Sequence, residues 1–332
     1  MKVICLIISI CVLIACGGYS AKAHSSDNLT AHIENYYIAE NGMVLNFKNA
    51  DYPQYLSESL GLYMQFLLGM KDEIRFQQQV DILLEHFLQP VGDHLFVKWE
   101  LGEQTTVGAL IDDLRIAWVL KHAAAIFEDN ELYSELSDRI MATIKDTMIV
   151  NGRLVDFFDW HYNIAKDQLF LSYYIVPAMS GFPDYTFVPL ESLTADPFFM
   201  ELYIDGEFHP AGDEVNMIDQ SLIAIAYFER TGTPEPNFQQ FISGRLQEDG
   251  LIFARYNRDT LEKSNENQSS AAYAFLLHYF ELTNQFDYAA TVRDLLLAIE
   301  TYDPETTHFF DFINKEMALR GFLNIYHNMN AM

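Results

Sequence analysis

The sequence predicts an all-α fold, a double ring of six helical hairpins known as an (α/α)6 toroid. Three observations lead to it. The stretch 56–68 is apolar on every side after Glu58: Leu60, Leu62, Met64, Phe66, Leu67 and Leu68 surround the helix axis, which marks a helix buried on all faces. Five further segments open in the same way, on an acid or amide that runs into an apolar, aromatic-rich stretch. The anchors fall at 58, 112, 167, 219, 268 and 316, in steps of 54, 55, 52, 49 and 48 residues. Between anchors lie more amphipathic helices, at 72–89, 130–146 and 286–300, with charges on one side. Six repeats of buried helix, loop and amphipathic helix place an inner ring inside an outer one. The polar N-terminal ends of the inner helices then converge on one face.

Taken in order, residues 1–15 stand outside that fold. Lys2 precedes an apolar run, 3–15, that is too short to span a bilayer and fits a signal peptide. Leu13, Ile14, Ala15 and Cys16 resemble the bacterial lipobox, in which the Cys becomes the lipidated first residue of the mature chain. Cys5 and Cys11 leave with the signal, so the folded domain has neither thiol nor disulfide and depends on its core. Residues 16–29, small and polar, read as a flexible tether to the membrane. Residues 30–332 then form a single domain, long enough for one large core, exported and lipid-anchored at the outer face of the membrane, and monomeric.

Within the domain, short extended pieces at 95–99, 153–158 and 251–256 follow the amphipathic helices. Pro and Gly punctuate the loops, as at Gly152, Pro183, Pro189, Pro197, Gly212 and Gly232, without marking a linker. The formal net charge of −27 repels nucleic acid and anionic lipid and excludes both as partners, while neutral or cationic substrates are tolerated.

The predicted ring gathers Glu58, Asp112, Asp113, Asp167 and Asp219 at one end. Glu58, at the mouth of an apolar helix, is costly to desolvate, and a carboxyl kept protonated near neutral pH can serve as a general acid. The same residues also fit a plainer role, with Ser57 as helix cap and Glu58 favouring the positive end of the helix dipole. Aromatic residues are interleaved with the acids: Tyr63, Trp118, Trp160, Tyr162, Tyr173, Tyr174, Tyr227 and Tyr273. Core packing accounts for most of them. Trp160 and Tyr162, beside Asp159, His161 and Asn163, stand in the most polar setting. Carboxylates among aromatic platforms suit a sugar polymer, because ring faces stack on pyranoses and acids bind hydroxyls and move protons.

These residues carry a family resemblance. Ser57-Glu58 followed by Tyr63-Met64 resembles the Ser-Glu-Gly-x-x-Tyr-Gly-Met segment of glycoside hydrolase family 8, which holds its general acid. The run from Asp113 to Ala117 resembles that family's Asp-Ala-Asp-Leu-Asp-Ile-Ala-Tyr, whose second Asp binds the sugar at the cleavage point. The resemblance spans about residues 30–330 and is nearest to lipoprotein members associated with exopolysaccharide production. It implies an (α/α)6 barrel that cleaves a β-linked polysaccharide with inversion, with Glu58 as acid and Asp113 holding the sugar. Tyr63 and Asp112, beside those motifs, and Trp160 and Tyr173, among the interleaved aromatics, are the expected substrate-binding residues.

The chain departs from the family pattern in places. Gly is absent after Glu58, Ile111 replaces the first Asp of the second motif, and the family's Tyr-Asp-Ala-x-Arg base segment has no counterpart in 212–220. Asp219 matches the anchor period and is favoured as general base. Asp213, which a direct alignment puts there, also suits a helix cap after Gly212. An inverting pair would stand roughly 6.5–9.5 Å apart. Loss of the base segment leaves open a second function, a lipoprotein that binds polysaccharide without cutting it. No metal-binding motif, Gly-x-Ser-x-Gly, phosphate loop or dinucleotide fingerprint is present, and neither metal nor cofactor is expected.

Overall fold

The computed structural model describes residues 26–48, 53–128 and 130–323, so Cys16 and the leader lie outside the described residues. Its helices are α1 Ser26–Tyr36, α2 Ser57–Met70, α3 Glu73–Ile82, α4 Leu110–Ile126, α5 Glu131–Thr147, α6 Val188–Glu191, α7 Met217–Thr231, α8 Pro236–Glu248, α9 Ser270–Leu282, α10 Phe286–Ala298 and α11 Phe309–Leu319. The helices α2, α4, α7, α9 and α11 form the inner ring, with α2 beside α4, α7 beside α9, α9 beside α11, and α11 closing back on α2. The helices α3, α5 and α10 pack outside their partners α2, α4 and α9. Phe238 of α8 packs outside against Phe199 and edge-on to Tyr279, with ring centroids at 5.2 and 6.1 Å.

The strength of each pattern follows from burial. In α2, every residue from Ser59 to Leu68 is buried, and in α9 every residue from Ser270 to Phe280 is. Such helices are apolar all round and carry no amphipathic stripe. The outer helix α5 buries Tyr133, Leu136, Ile140 and Ile144 at helical spacing and leaves its other side to solvent. The sheet content is small and peripheral. The hairpins are β1 Leu88–Val91 with β2 His94–Val97, β3 Ile149–Val150 with β4 Arg153–Leu154, and β5 Phe158–Asp159 with β6 Ile164–Ala165. A meander β7 Gln168–Phe170, β8 Leu202–Ile204 and β9 Glu207–His209 follows, then β10 Glu214–Asn216 paired with β11 Arg255–Asn257.

Three differences from the sequence expectation have physical causes. The third anchor, at 167, does not start a helix. Its segment runs as β7 and then two 3-10 turns, Leu171–Tyr173 and Val176–Met179, which fill the gap between α4 and α7. Pro177, Pro183 and Pro189 bar a continuous helix here, since each lacks an N–H and clashes with the preceding turn. Asp156 fastens the extended start of the segment, accepting hydrogen bonds from the Phe170 amide at 2.6 Å and the Gln168 side chain at 2.9 Å. The sixth inner helix begins at Phe309, so Lys315 and Glu316 lie in its middle.

The third difference is at the N-terminus, where α1 starts inside the predicted tether and Leu29 is fully buried. This helix is the outer partner of α11. Its His32 ring lies 5.0 Å from Phe312, and one residue past its end the Tyr37 ring lies 5.2 and 5.3 Å from Phe309 and Phe312, with the hydroxyl donating to the Thr307 carbonyl at 3.1 Å. The sixth hairpin is thus made from the two ends of the domain. No helix among the described residues is long and apolar enough to cross a membrane.

Candidate active site

The N-terminal ends of α2, α4 and α7 meet the first 3-10 turn on one face, and a cavity of about 350 Å³ opens there. Glu58, Asp112 and Asp219 line it, with Arg115, Ser172 and Tyr173. Each carboxylate stands in the first turn of its own helix, at the positive end of the dipole.

Ser57 does not cap α2. Its hydroxyl reaches across to α4 and donates to Asp112 Oδ2 at 2.9 Å. Asp112 Oδ1 accepts from Arg115 Nη1 at 2.7 Å, one turn along α4, and both side chains are buried. Burial pushes the Asp112 carboxyl above the usual aspartate range, and the Arg115 guanidinium and Ser57 hydroxyl oppose that push. Burial likewise raises Glu58, to about 7. Asp112 adds to the rise, Arg115 works against it, and Asp311 contributes a further push upward. Burial raises Asp219 too, opposed by hydrogen bonds to Ser172 and Asn216. Asn216 also caps α7, its Oδ1 accepting from the Ile218 amide at 3.0 Å. Burial raises the Tyr173 phenol, and the charges of Asp156, Asp112, Asp219 and Glu58 add to the rise.

Of the residues expected from sequence, Glu58, Asp112, Tyr173 and Asp219 come together in this cavity. The other predicted positions lie elsewhere. Asp113 points away from the cavity, 2% exposed under the loop at Gly108. A Cβ on Gly108 would sit 2.9 Å from the Asp113 carboxylate and 2.7 Å from the Val97 carbonyl, so only glycine lets that loop cover the acid. Burial and the Asp112 charge raise the Asp113 carboxyl well above the usual aspartate range.

Tyr63 is also in the core, packed 6.3 Å from Phe66 and 6.4 Å from Phe309. The cavity face of α2 is Glu58, Leu62 and Gln65, and a residue five past Glu58 is turned well off that face at about 100° per residue. Trp160 sits on the β5–β6 turn, stacked 5.0 Å from Phe96, and does not line the cavity. Tyr162 is 69% exposed beyond it. Asp167 is exposed and pairs with Lys166 at 3.7 Å. Asp213 is exposed before β10, outside the cavity, and its carbonyl accepts from the Arg258 amide.

Sequence reasoning missed Arg115, Trp99 and Ser172 as lining residues. The i,i+3 spacing of Asp112 and Arg115 was the available sign for Arg115. Nothing local marks Ser172, because its place depends on the turn that replaces a helix. Among the described residues no group of three or more His, Cys, Asp and Glu is arranged to hold a metal ion.

No protein-family model matches the chain. The double ring is the fold of the family 8 glycoside hydrolases: a cold-adapted family 8 xylanase solved with substrate superposes with a TM-score of 0.65 at 13% identity, over 94% of each chain. Within that fold, the chain is 41% identical to PssZ from Listeria monocytogenes over 90% of this chain and 96% of that one, with a TM-score of 0.86, and it belongs to the PssZ family. It is also 28% identical over 300 residues, 84% of this chain and 80% of the other, to "Putative lipoprotein YdaJ" of Bacillus subtilis (strain 168).

Proposed function

We propose that the protein is a lipid-anchored glycoside hydrolase that cleaves a β-linked bacterial exopolysaccharide with inversion. Glu58 protonates the departing glycosidic oxygen, Asp219 activates water from the opposite face of the sugar, and Asp112 with Arg115 holds the sugar at the scissile bond. Asp112 takes the part that the family resemblance gave to Asp113, because Asp112 faces the cavity. The observation that carries the proposal is the shared cavity of Glu58 and Asp219, with Glu58 pushed up to about 7. A carboxyl with that value still holds its proton near neutral pH, as protonating a leaving group requires. Both acids project from first turns on opposite sides of the ring, and Tyr173 lines the same cavity. A polysaccharide substrate is supported by the likeness to the xylanase, its β-linkage by the likeness to an endo-beta-1,4-glucanase from Acetobacter xylinum, and lipid attachment at Cys16 by the name of the Bacillus relative.

Release of new reducing ends from purified exopolysaccharides tests this directly. Wild type should release them and Glu58→Gln should not. Asp219→Asn should lose nearly all turnover. Asp213→Asn, exposed and outside the cavity, should keep most of it. The reverse ranking of the two aspartates moves the base to Asp213. No release by wild type on any polymer, α- or β-linked, with binding retained, favours a lipoprotein that binds polysaccharide without cutting it.

A further inference from the structure

The cavity does not stop at the carboxylates. On α2 its lining steps from Glu58 to Leu62 to Gln65, and on α7 from Asp219 through Leu222 and Ile225 to Glu229. At 1.5 Å per residue these paths descend roughly 10 Å and 15 Å along the inner ring. The cavity is therefore axial, a shaft sunk through the middle of the toroid, with Glu58, Asp112, Arg115 and Asp219 around its mouth and Glu229 and His278 at its lower end. Below the carboxylates the wall is a belt of Leu62, Leu222, Ile225, Ile175 and Phe275. At the lower level Asn314, 1% exposed, presents an Oδ1 with no hydrogen-bond partner, while its Nδ2 donates to the Phe310 carbonyl.

A sugar ring has no use for such a belt. Its hydroxyls would lose water and find no partner there, which is unfavourable for each group left unsatisfied. A void lined by side chains of this kind instead favours an apolar guest, which gains by leaving water and by filling unoccupied contact distance. We propose that the shaft is a binding site for an apolar substituent, an alkyl or acyl chain, on a saccharide whose sugar lies against Glu58, Asp112 and Asp219. The saccharide half of this proposal rests on the glycosidase reading, while the chain half does not.

The test is equilibrium binding of n-alkyl β-glucosides below their micelle concentrations, from methyl to dodecyl, beside 1-alkanols of the same lengths. Affinity in both series should rise about fourfold per methylene, then level off once the chain reaches the depth of Gln65 and Asn314. Leu222→Phe and, separately, Ile225→Phe should shorten the chain at which the rise stops, with folding checked by circular dichroism. Two variants guard against one that misfolds. A ring-esterified octanoyl glucose measured beside octyl glucoside tells a substituent on the polymer from an apolar aglycone. Flat affinity across both wild-type series overturns the proposal and leaves polysaccharide hydrolysis, assayed separately, untouched. A rise for alkanols alone overturns the placement of the sugar at the carboxylates.

Discussion

Glu58 shows how position decides the chemistry of a residue. It lies in the first turn of a helix that is buried along its length, and burial outweighs the helix dipole and Arg115 in setting its proton affinity. The folded protein therefore binds this proton more tightly than the unfolded chain does. Stability contributed by the protonated form is full below about pH 4.5 and is lost as pH rises to about 7. Glu58→Gln has no proton to lose. Relative to wild type it should gain on the order of 2 kcal/mol above pH 7 over its value below pH 4.5, after allowing for partial solvent access. Urea unfolding of both proteins on each side of that window measures the difference, and an identical difference on both sides would contradict it. Glu58 was legible in the sequence because one carboxylate opened an unbroken apolar helix. The choice between Asp112 and Asp113 was not, since adjacent residues differ by about 100° around a helix and only packing fixes the rotation.

At the scale of elements, α2, α4, α7 and α9 were readable from an acid or amide opening an apolar run, while the anchor at 316 falls in the middle of α11. The third position was not, because an acid followed by apolar residues describes a buried strand and turn as well as a helix. Its replacement is held by a buried ion pair. Arg258 donates to both Glu201 oxygens, at 2.5 and 2.6 Å, and to the Phe199 carbonyl, and Gln220 donates to Glu201 at 2.7 Å. Gln220 adjoins Asp219, so this lock ties the inserted segment to the helix that carries the proposed base. Arg258→Met should cost about 3–5 kcal/mol by leaving the Glu201 carboxylate buried without its cation. Adding Glu201→Gln should recover part of that loss, and urea unfolding of the single and double variants reads both. A single variant as stable as wild type would contradict the lock.

Across the whole molecule, the inner ring closes where α11 meets α2, and α1, from the opposite end of the described chain, packs outside α11. That packing was hidden in the sequence. The polar composition around Ser26, Asp27 and Asn28 reads as tether, and only the contacts of Leu29 and Tyr37 with the core reveal a helix belonging to the domain. Closure also brings the N-terminal ends of α2, α4 and α7 to one face, which places an acid near neutrality and a second carboxylate around a single cavity. Two such groups with a water between them lead to inversion, whereas direct attack by the second carboxylate would lead to retention. Proton NMR of the first products released from a β-linked polysaccharide distinguishes the two. The α-anomer should appear first and mutarotate towards equilibrium; initial release of the β-anomer would contradict hydrolysis by Glu58 and Asp219 as acid and base.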